Sequence, residues 1–428
     1  MRRSFKAILI VLSIVFSGCV TQPQQKDAAR NNLAFLYNPS STPLHPEFNV
    51  YHENFTRSRI YIKIFPVELL FNQANSEGTY QAKLRISYEL TELIDGRESE
   101  IITDSTTTVF TLRMNEVKNV FVANLPMRTR EGSQYMLKVN TTDLLRNKGT
   151  TNFIHVDRST VNTAQNYMVI SAESGYPSFD KVFHSSEIFY VQYNKKGVDT
   201  VYVKYYRNTF PLPRPPVTNL SSPKPDFRPD SIFTYSYSDT VKYALPQEGM
   251  YHIQVDPQQP GGLTLYNFGD SYPRVANTND MIGPLSYLAS STEFNELANQ
   301  TNKKLALDNF WLQAGGNAQS ARELIRVYYN RVFFANYFFT SYKEGWKTDR
   351  GMLFIVYGPP NILTKKGNIE NWVYYRKKSN EPLQFTFSRH DNPYTQNDYL
   401  LERNFVNSLW TLAVRDWRSG KIFYTESN

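Results

Sequence analysis

The stretch GWKTDRGMLFIVYGPP, residues 345–360, changes abruptly from polar turn residues to a run of apolar residues. Its second half, residues 352–357, is an unbroken apolar run. Such a run is typical of a strand that is buried on both faces of a sheet. Gly358, Pro359 and Pro360 follow directly, and a proline cannot donate to a strand ladder. The pattern therefore predicts a central buried strand that ends at residue 357.

The residues before this stretch predict a long helix over 320–342. Apolar residues recur there at helical spacing. Ser320 and Glu323 have the spacing of a capping box, in which each side chain satisfies a backbone amide at the helix start. Gly345 is placed to end the helix, because glycine enters the left-handed conformation without strain. Trp346 is expected to fold back on the helix as a buried apolar plug.

The polar residues between helix and strand predict a turn. Thr348, Asp349, Arg350 and Gly351 are typical turn residues, and a short aspartate side chain can accept hydrogen bonds from nearby amides. A catalytic acid or base needs a partner and a tuned environment. The sequence shows only adjacent charges here. We therefore assign Asp349 a turn-stabilising role and predict no catalytic residue.

These residues together resemble the GWxTD domain, a family of bacterial envelope proteins frequent in Bacteroidetes. The resemblance covers roughly residues 285–428, and it implies an envelope protein without implying an activity. It rests on an ordered set of positions: Gly345, Trp346, Thr348, Asp349, Tyr357, Gly358, Pro359, Pro360 and Trp372. Further matches lie in the preceding helix: Tyr328, Arg331, Ala335 and Asn336.

The N-terminus has the pattern of a lipoprotein signal peptide over residues 1–18. A basic start precedes an apolar run at 7–16 that is too short to span a bilayer stably. Cys19, the only cysteine, stands where such signals carry the lipidated residue. An ordinary signal peptide with a chance cysteine is the alternative. Polar residues and prolines over 19–48 predict an extended tether. The resemblance implies a further expectation, because surface lipoproteins of Bacteroidetes often carry an acidic export signal directly after the lipidated cysteine. No acidic run directly follows Cys19, which favours the periplasmic face of the outer membrane over the cell surface.

The middle of the chain predicts two tandem β-sandwiches, over residues 49–160 and 161–276. Apolar and polar residues alternate over 80–90, as expected for a strand with one buried face. Similar alternation recurs at 201–205 and 251–255. Short strands at this spacing are typical of a sandwich, which would be immunoglobulin-like in architecture alone. The predicted fold class is therefore mainly β with a C-terminal α+β GWxTD domain over 277–428.

A proline-rich segment, residues 211–229, interrupts the second sandwich. Proline-rich chain prefers an extended polyproline II conformation and cannot join a ladder. A plain surface loop is one interpretation, and a docking loop for a partner protein is the other. The side chains that would contact a partner are apolar or basic: Phe210, Leu212, Arg214, Leu220, Phe227 and Arg228.

Composition and motifs narrow the possible functions. The formal net charge of +8 is scattered without a basic block, which argues against nucleic-acid binding. The six histidines show no metal-ligand spacing, and a single cysteine cannot form a disulfide within the chain. No nucleophile elbow or phosphate-binding loop occurs. We therefore predict no cofactor, no metal site and no enzymatic activity.

The resulting hypothesis is a non-enzymatic lipoprotein, anchored to the outer membrane through a lipid on Cys19. It would act as a structural or partner-binding subunit of an envelope assembly, in secretion or in outer-membrane protein biogenesis. One alternative is a glycan- or peptidoglycan-binding module, since exposed tyrosine and tryptophan rings can stack on sugars. Another is a hydrolase of unrecognised type in the C-terminal domain.

Overall fold

The computed structural model describes residues 32–73, 78–375, 382–403 and 408–423. Within these ranges the protein is mainly β, with several antiparallel sheets and a C-terminal helical region, as predicted. None of the described helices is long and apolar enough to cross a membrane. The predicted signal peptide and Cys19 lie outside the described residues.

The first β-module consists of two antiparallel sheets. One sheet has the order β1-β2-β6, and the other has the order β3-β4-β7-β8 with β5 along the remaining edge of β4. The strands are β1 (Glu47–Asn54), β2 (Arg57–Ile64), β3 (Asn72–Gln73), β4 (Tyr80–Ile94), β5 (Arg97–Arg113), β6 (Phe121–Arg128), β7 (Gln134–Asp143) and β8 (Lys148–Asp157). Inward side chains of both sheets share one core; Ile60 and Ile62 from β2 meet Leu84 and Ile86 from β4 there. The alternation predicted over 80–90 is confirmed from Ala82 onward.

The second β-module repeats this arrangement with shorter strands. Its sheets have the orders β13-β10-β9 and β12-β11-β14-β15, and their inward residues again share one core. The strands are β9 (Tyr167–Ser171), β10 (Phe189–Tyr193), β11 (Thr200–Tyr206), β12 (Ser231–Ser236), β13 (Lys242–Tyr243), β14 (Gly249–Gln254) and β15 (Leu263–Asn267). The proline-rich segment joins β11 to β12, which pair directly with each other. It therefore leaves and re-enters the same sheet.

The C-terminal domain packs helices against a four-stranded antiparallel sheet of order β16-β17-β18-β19. Its helices are α1 (Thr278–Ile282), α2 (Ser291–Asn299), α3 (Lys303–Gly315), α4 (Ala318–Phe339), α5 (Asp349–Tyr357) and α6 (Ser408–Arg418). Its strands are β16 (Ile362–Lys366), β17 (Ile369–Tyr374), β18 (Leu383–Arg389) and β19 (Tyr399–Leu401). Helix α5 lies in the middle of this domain, and each of its residues is buried.

The prediction of a buried strand at 352–357 is wrong, because these residues form helix α5. The Thr348 hydroxyl caps the helix by accepting the Gly351 amide at 3.0 Å. A short helix that is buried on every side needs no polar face, so its sequence shows no helical periodicity. A continuous apolar run of this length fits either structure.

The ends of the long helix also differ from the prediction. Helix α4 ends at Phe339, and Gly345 lies beyond it in a short 3₁₀ turn, Gly345–Lys347. Its N-cap is Asn317, whose side chain accepts the Ser320 amide, instead of the predicted capping box.

The start of the described chain, residues 32–37, forms an N-terminal strap on the C-terminal domain, whereas Leu44 and His45 pack on the first β-module. The Leu33 amide donates to the Leu363 carbonyl at 2.8 Å, and the Asn32 side chain accepts the Leu363 amide at 3.0 Å. The Tyr37 ring is buried in the C-terminal core, 4.8 Å from the ring of Phe339. The predicted extended tether is therefore wrong for these residues, because they bury side chains and pair with strand β16.

Candidate functional site

The GWxTD motif begins at a point where three backbone segments touch. A β-carbon on Gly345 would lie 2.0 Å from the Ala335 carbonyl oxygen of helix α4. A β-carbon on Gly351 would lie 1.9 Å from the Gly345 carbonyl oxygen. Real β-carbons do not approach a backbone atom this closely, so both positions require glycine. The glycines let helices α4 and α5 contact the turn between them directly.

Trp346 and Thr348 fix the geometry of this turn. The Trp346 amide donates to the side-chain oxygen of Asn336 at 3.0 Å, and its carbonyl accepts the Tyr287 hydroxyl at 2.8 Å. The Trp346 ring is only partly buried, against Tyr287 and Gly283. The prediction that the Trp346 side chain is buried is therefore corrected, because its ring is only half-buried. The Thr348 hydroxyl donates to the Gly345 carbonyl at 2.7 Å.

Asp349 is the first residue of helix α5, and its carboxylate is buried. It accepts hydrogen bonds from the Arg403 guanidinium and from the Leu401 amide of strand β19. Burial raises the pKa of the Asp349 carboxyl, whereas the charge of Arg403 acts in the opposite direction. The turn-stabilising assignment is wrong, because Thr348 caps the helix and Asp349 connects the helix to the sheet.

The next residue, Arg350, belongs to a second buried ion cluster. Its guanidinium lies 3.3 Å from the Glu370 carboxylate, which also accepts the Trp372 indole N–H at 2.7 Å. The Tyr37 hydroxyl of the strap donates to the same carboxylate at 3.1 Å, and Lys365 lies 3.1 Å from it. Although burial opposes ionisation, Arg350 and Lys365 lower the pKa of Glu370. The cluster thereby joins the strap, helix α5 and strand β17.

The YGPP part of the motif ends helix α5 instead of a strand. Gly358 has φ +83, and a β-carbon there would lie 2.9 Å from the Arg331 guanidinium. Arg331 donates to the carbonyls of Ile355 and Val356, at 3.2 and 3.0 Å. Carbonyl groups at a helix end lack partners within the helix, so Arg331 satisfies them. Tyr357 packs among aromatic rings of the sheet, and Pro359 and Pro360 lead the chain into β16.

The proline-rich segment lies against the C-terminal domain of the same chain. The Phe210 and Phe227 rings lie 4.9 and 5.1 Å from the Tyr342 ring. Arg403, the partner of Asp349, also donates to the carbonyl of Arg214 at 2.9 Å. The two phenylalanines and the Arg214 carbonyl therefore join the second β-module to the motif.

The remaining docking candidates of this segment are more accessible. Leu220 is 58% exposed, and Leu212 is half-buried. Arg228 is exposed and pairs with Asp226, its neighbour in the segment. Only this outer part of the predicted docking loop is open to a partner.

A pair of substitutions separates the two parts of the segment. We expect Phe227→Ala to destabilise the protein by about 2–4 kcal/mol, since it removes a ring that packs on Tyr342 and Tyr394. Leu220→Ala serves as the matched control and should change stability by less than about 0.5 kcal/mol. Urea unfolding of both variants measures the difference. Equal effects would show that Phe227 does not hold the segment in place.

The site supports a structural role for the motif. Its charged groups are paired within the protein, and its glycines permit backbone contact. In the described ranges no group of three histidine, cysteine, aspartate or glutamate residues could hold a metal ion. The sequence interpretation missed Glu370, Arg403 and Tyr37. One signal for Glu370 was available, since it alternates with Trp372 and Tyr374 on the buried face of β17.

Comparison with known proteins identifies the domain but offers no activity. The family described as GWxTD domain matches residues 249–419, so the match begins within the second β-module and contains the whole motif. No curated protein matches the chain significantly. A solved structure of Bacteroides uniformis beta-glucuronidase 2 is similar at 9% identity over 34% of this chain, with a TM-score of 0.17. The chain spans 14% of the length of that enzyme.

Proposed function

We propose that this GWxTD-domain protein is a non-enzymatic lipoprotein of the outer membrane, anchored through Cys19 and facing the periplasm. In this proposal it acts as a structural or partner-binding subunit of an envelope assembly. The two β-modules would be immunoglobulin-like spacers that present surfaces to other proteins. The lipid anchor is supported by the signal-like sequence before Cys19, the only cysteine.

One observation carries the structural part of the proposal. The motif uses its charged side chains to join distant parts of the chain, through Asp349 to Arg403 and through Arg350 to Glu370. A catalytic site would instead direct such groups toward a cleft where substrate can reach them. Buried and paired groups favour a platform of fixed shape, which suits the binding of protein partners.

The tryptophans do not favour the alternative of glycan stacking. Four of the five are buried in the C-terminal core: Trp311, Trp372, Trp410 and Trp417. Trp346 is partly buried against Tyr287. A stacking platform needs an exposed ring face, so tryptophan gives this alternative little support.

Membrane fractionation tests the anchor. We expect Cys19→Ser to move the protein from the membrane fraction to the soluble envelope fraction, because the variant has no thiol to carry a lipid. A Ser17→Ala variant, which keeps the cysteine, serves as the control and should stay in the membrane fraction. Unchanged membrane retention of Cys19→Ser would contradict lipid anchoring.

Affinity purification from detergent-solubilised membranes tests the subunit role. The proposal predicts that at least one envelope protein co-purifies at constant stoichiometry with the wild-type protein. Outward-facing changes such as Leu220→Ala and Arg228→Gln can then locate the contact. Recovery of the protein alone from mild detergent after cross-linking would contradict the proposed role.

A further inference from the structure

A polar cleft lies where the two β-modules meet the C-terminal domain. Its volume is about 330 Å³, within the usual range of small-molecule sites, which also tend to lie between domains. The end of strand β8 provides His155 and Asp157. Lys181 and the 260–262 turn belong to the second module, and the 389–396 loop between β18 and β19 closes the cleft.

Hydrogen bonds between and within the units of the chain hold the residues that line the cleft in place. The Gln396 side chain pairs with His155 at 3.0 Å and donates to the Asp157 carboxylate at 3.3 Å. Within the second module, the Gly261 carbonyl of the cleft lining accepts from the His252 ring at 3.0 Å and from Gln254 at 2.7 Å. Burial lowers the pKa of His252 to about 4, so the ring stays neutral at neutral pH. A site with fixed walls loses little entropy when a ligand binds.

Some charged side chains in this cleft have partners within the protein, and others have none among the described residues. Lys181 and Arg389 both line it, and neither forms an ion pair within the described ranges. The Asp157 carboxylate is already occupied, since it accepts the Ser159 amide and hydroxyl as well as the Gln134 and Gln396 side chains. The side chain of Asp391 accepts no hydrogen bond from any described residue. Among the residues that the structure describes, the cleft thus offers two free cations and one free carboxylate.

We propose that this cleft binds a saccharide that bears a carboxylate. Lys181 and Arg389 would take the carboxylate through charge-assisted hydrogen bonds. Asp391 and the amide side chains of Gln134 and Asn392 would pair with sugar hydroxyls. The binding is independent of the proposed role as an assembly subunit.

Two simpler ligands fit these charges less well. A compact anion such as phosphate could pair with Lys181 and Arg389 but has no hydroxyl hydrogens to offer the free carboxylate of Asp391 when fully ionised. A neutral sugar would leave Lys181 and Arg389 without a counter-charge. Because the cleft presents both signs of charge, a ligand with one carboxylate and several hydroxyls satisfies the most groups.

Binding of galacturonic acid to the purified full-length protein tests the proposal, with galactose as its neutral match. We expect saturation-transfer NMR and calorimetry to show galacturonate binding, and galactose binding at least about tenfold weaker. Arg389→Gln and Lys181→Gln should each weaken galacturonate binding by about tenfold or more. Lys224→Gln removes an exposed lysine outside the cleft and should leave binding unchanged.

Further comparisons can overturn the proposal. Asp391→Asn should weaken both sugars, because that carboxylate is assigned to hydroxyl groups. The melting temperature of each variant reports whether the fold is retained. Equal affinity of the protein for galacturonate and for acetate would contradict saccharide recognition and show that the cleft binds anions nonspecifically. Undiminished binding by a folded Arg389→Gln, Lys181→Gln double variant would also contradict the proposal.

Discussion

Gly345→Ala should destabilise the C-terminal domain by about 4 kcal/mol or more, because it forces two backbone segments apart. The added β-carbon would meet the Ala335 carbonyl oxygen at 2.0 Å. A backbone carbonyl inside helix α4 cannot rotate away without breaking its helical hydrogen bond. The turn must therefore move away from the helix, and the contacts of Trp346 with Asn336 and Tyr287 are then lost.

Guanidinium unfolding followed by tryptophan fluorescence measures this effect. All five tryptophans lie between residues 311 and 417, so the signal reports on the C-terminal domain. Gly316→Ala is the matched control, since Gly316 has φ +70 and open space where the added methyl group would lie. It should cost only about 1 kcal/mol of backbone strain. A Gly345→Ala protein as stable as this control would show that close backbone approach is not the reason for glycine in the motif.

Asp349→Asn should cost about 3–5 kcal/mol, because it leaves the buried Arg403 guanidinium without a counter-charge. The two side chains are 2% and 6% exposed, so water cannot replace the lost partner. A role confined to turn hydrogen bonds would cost only about 0.5–2 kcal/mol. The magnitude therefore distinguishes a link between helix and sheet from a local turn.

A double-mutant cycle with Arg403→Met sharpens the test. Removing both charges avoids an unpaired buried ion, so the double variant should be more stable than the sum of the single effects predicts. We expect a coupling of at least about 1 kcal/mol. The exposed pair of Lys304 and Asp308 provides a control cycle, with coupling below about 0.5 kcal/mol. Additive effects in the Asp349–Arg403 cycle would contradict a direct link.

Sequence patterns predicted the helices and strands that have one solvent-exposed face and one buried face, because the two faces make polar and apolar residues alternate regularly. The strand over 80–90 and the helix before the motif both have this property. Helix α5 lacks it, since burial on every side removes the polar stripe that identifies a helix. The sequence signal for the helix is Thr348 at its N-cap, and threonine also occurs in turns.

The composition of the site was less predictable than its position. The motif residues were recognisable, but their partners lie far along the chain. Arg403 is 54 residues from Asp349, and Tyr37 is 313 residues from Arg350. Local patterns carry no information about such pairs. Proline content likewise predicted an extended segment at 211–229 without indicating that Phe210 and Phe227 would pack on Tyr342.

The N-terminal strap makes folding of the C-terminal core depend on a distant part of the chain. Asn32 and Asn361 pair across 329 positions. The two β-modules can complete their cores from residues of their own, whereas the C-terminal core also needs Tyr37, which contacts Glu370 and Trp372. Bringing two such distant segments together costs loop-closure entropy before their contacts form. Folding of the intervening β-modules shortens the loop, so we expect the strap to dock after both modules have folded.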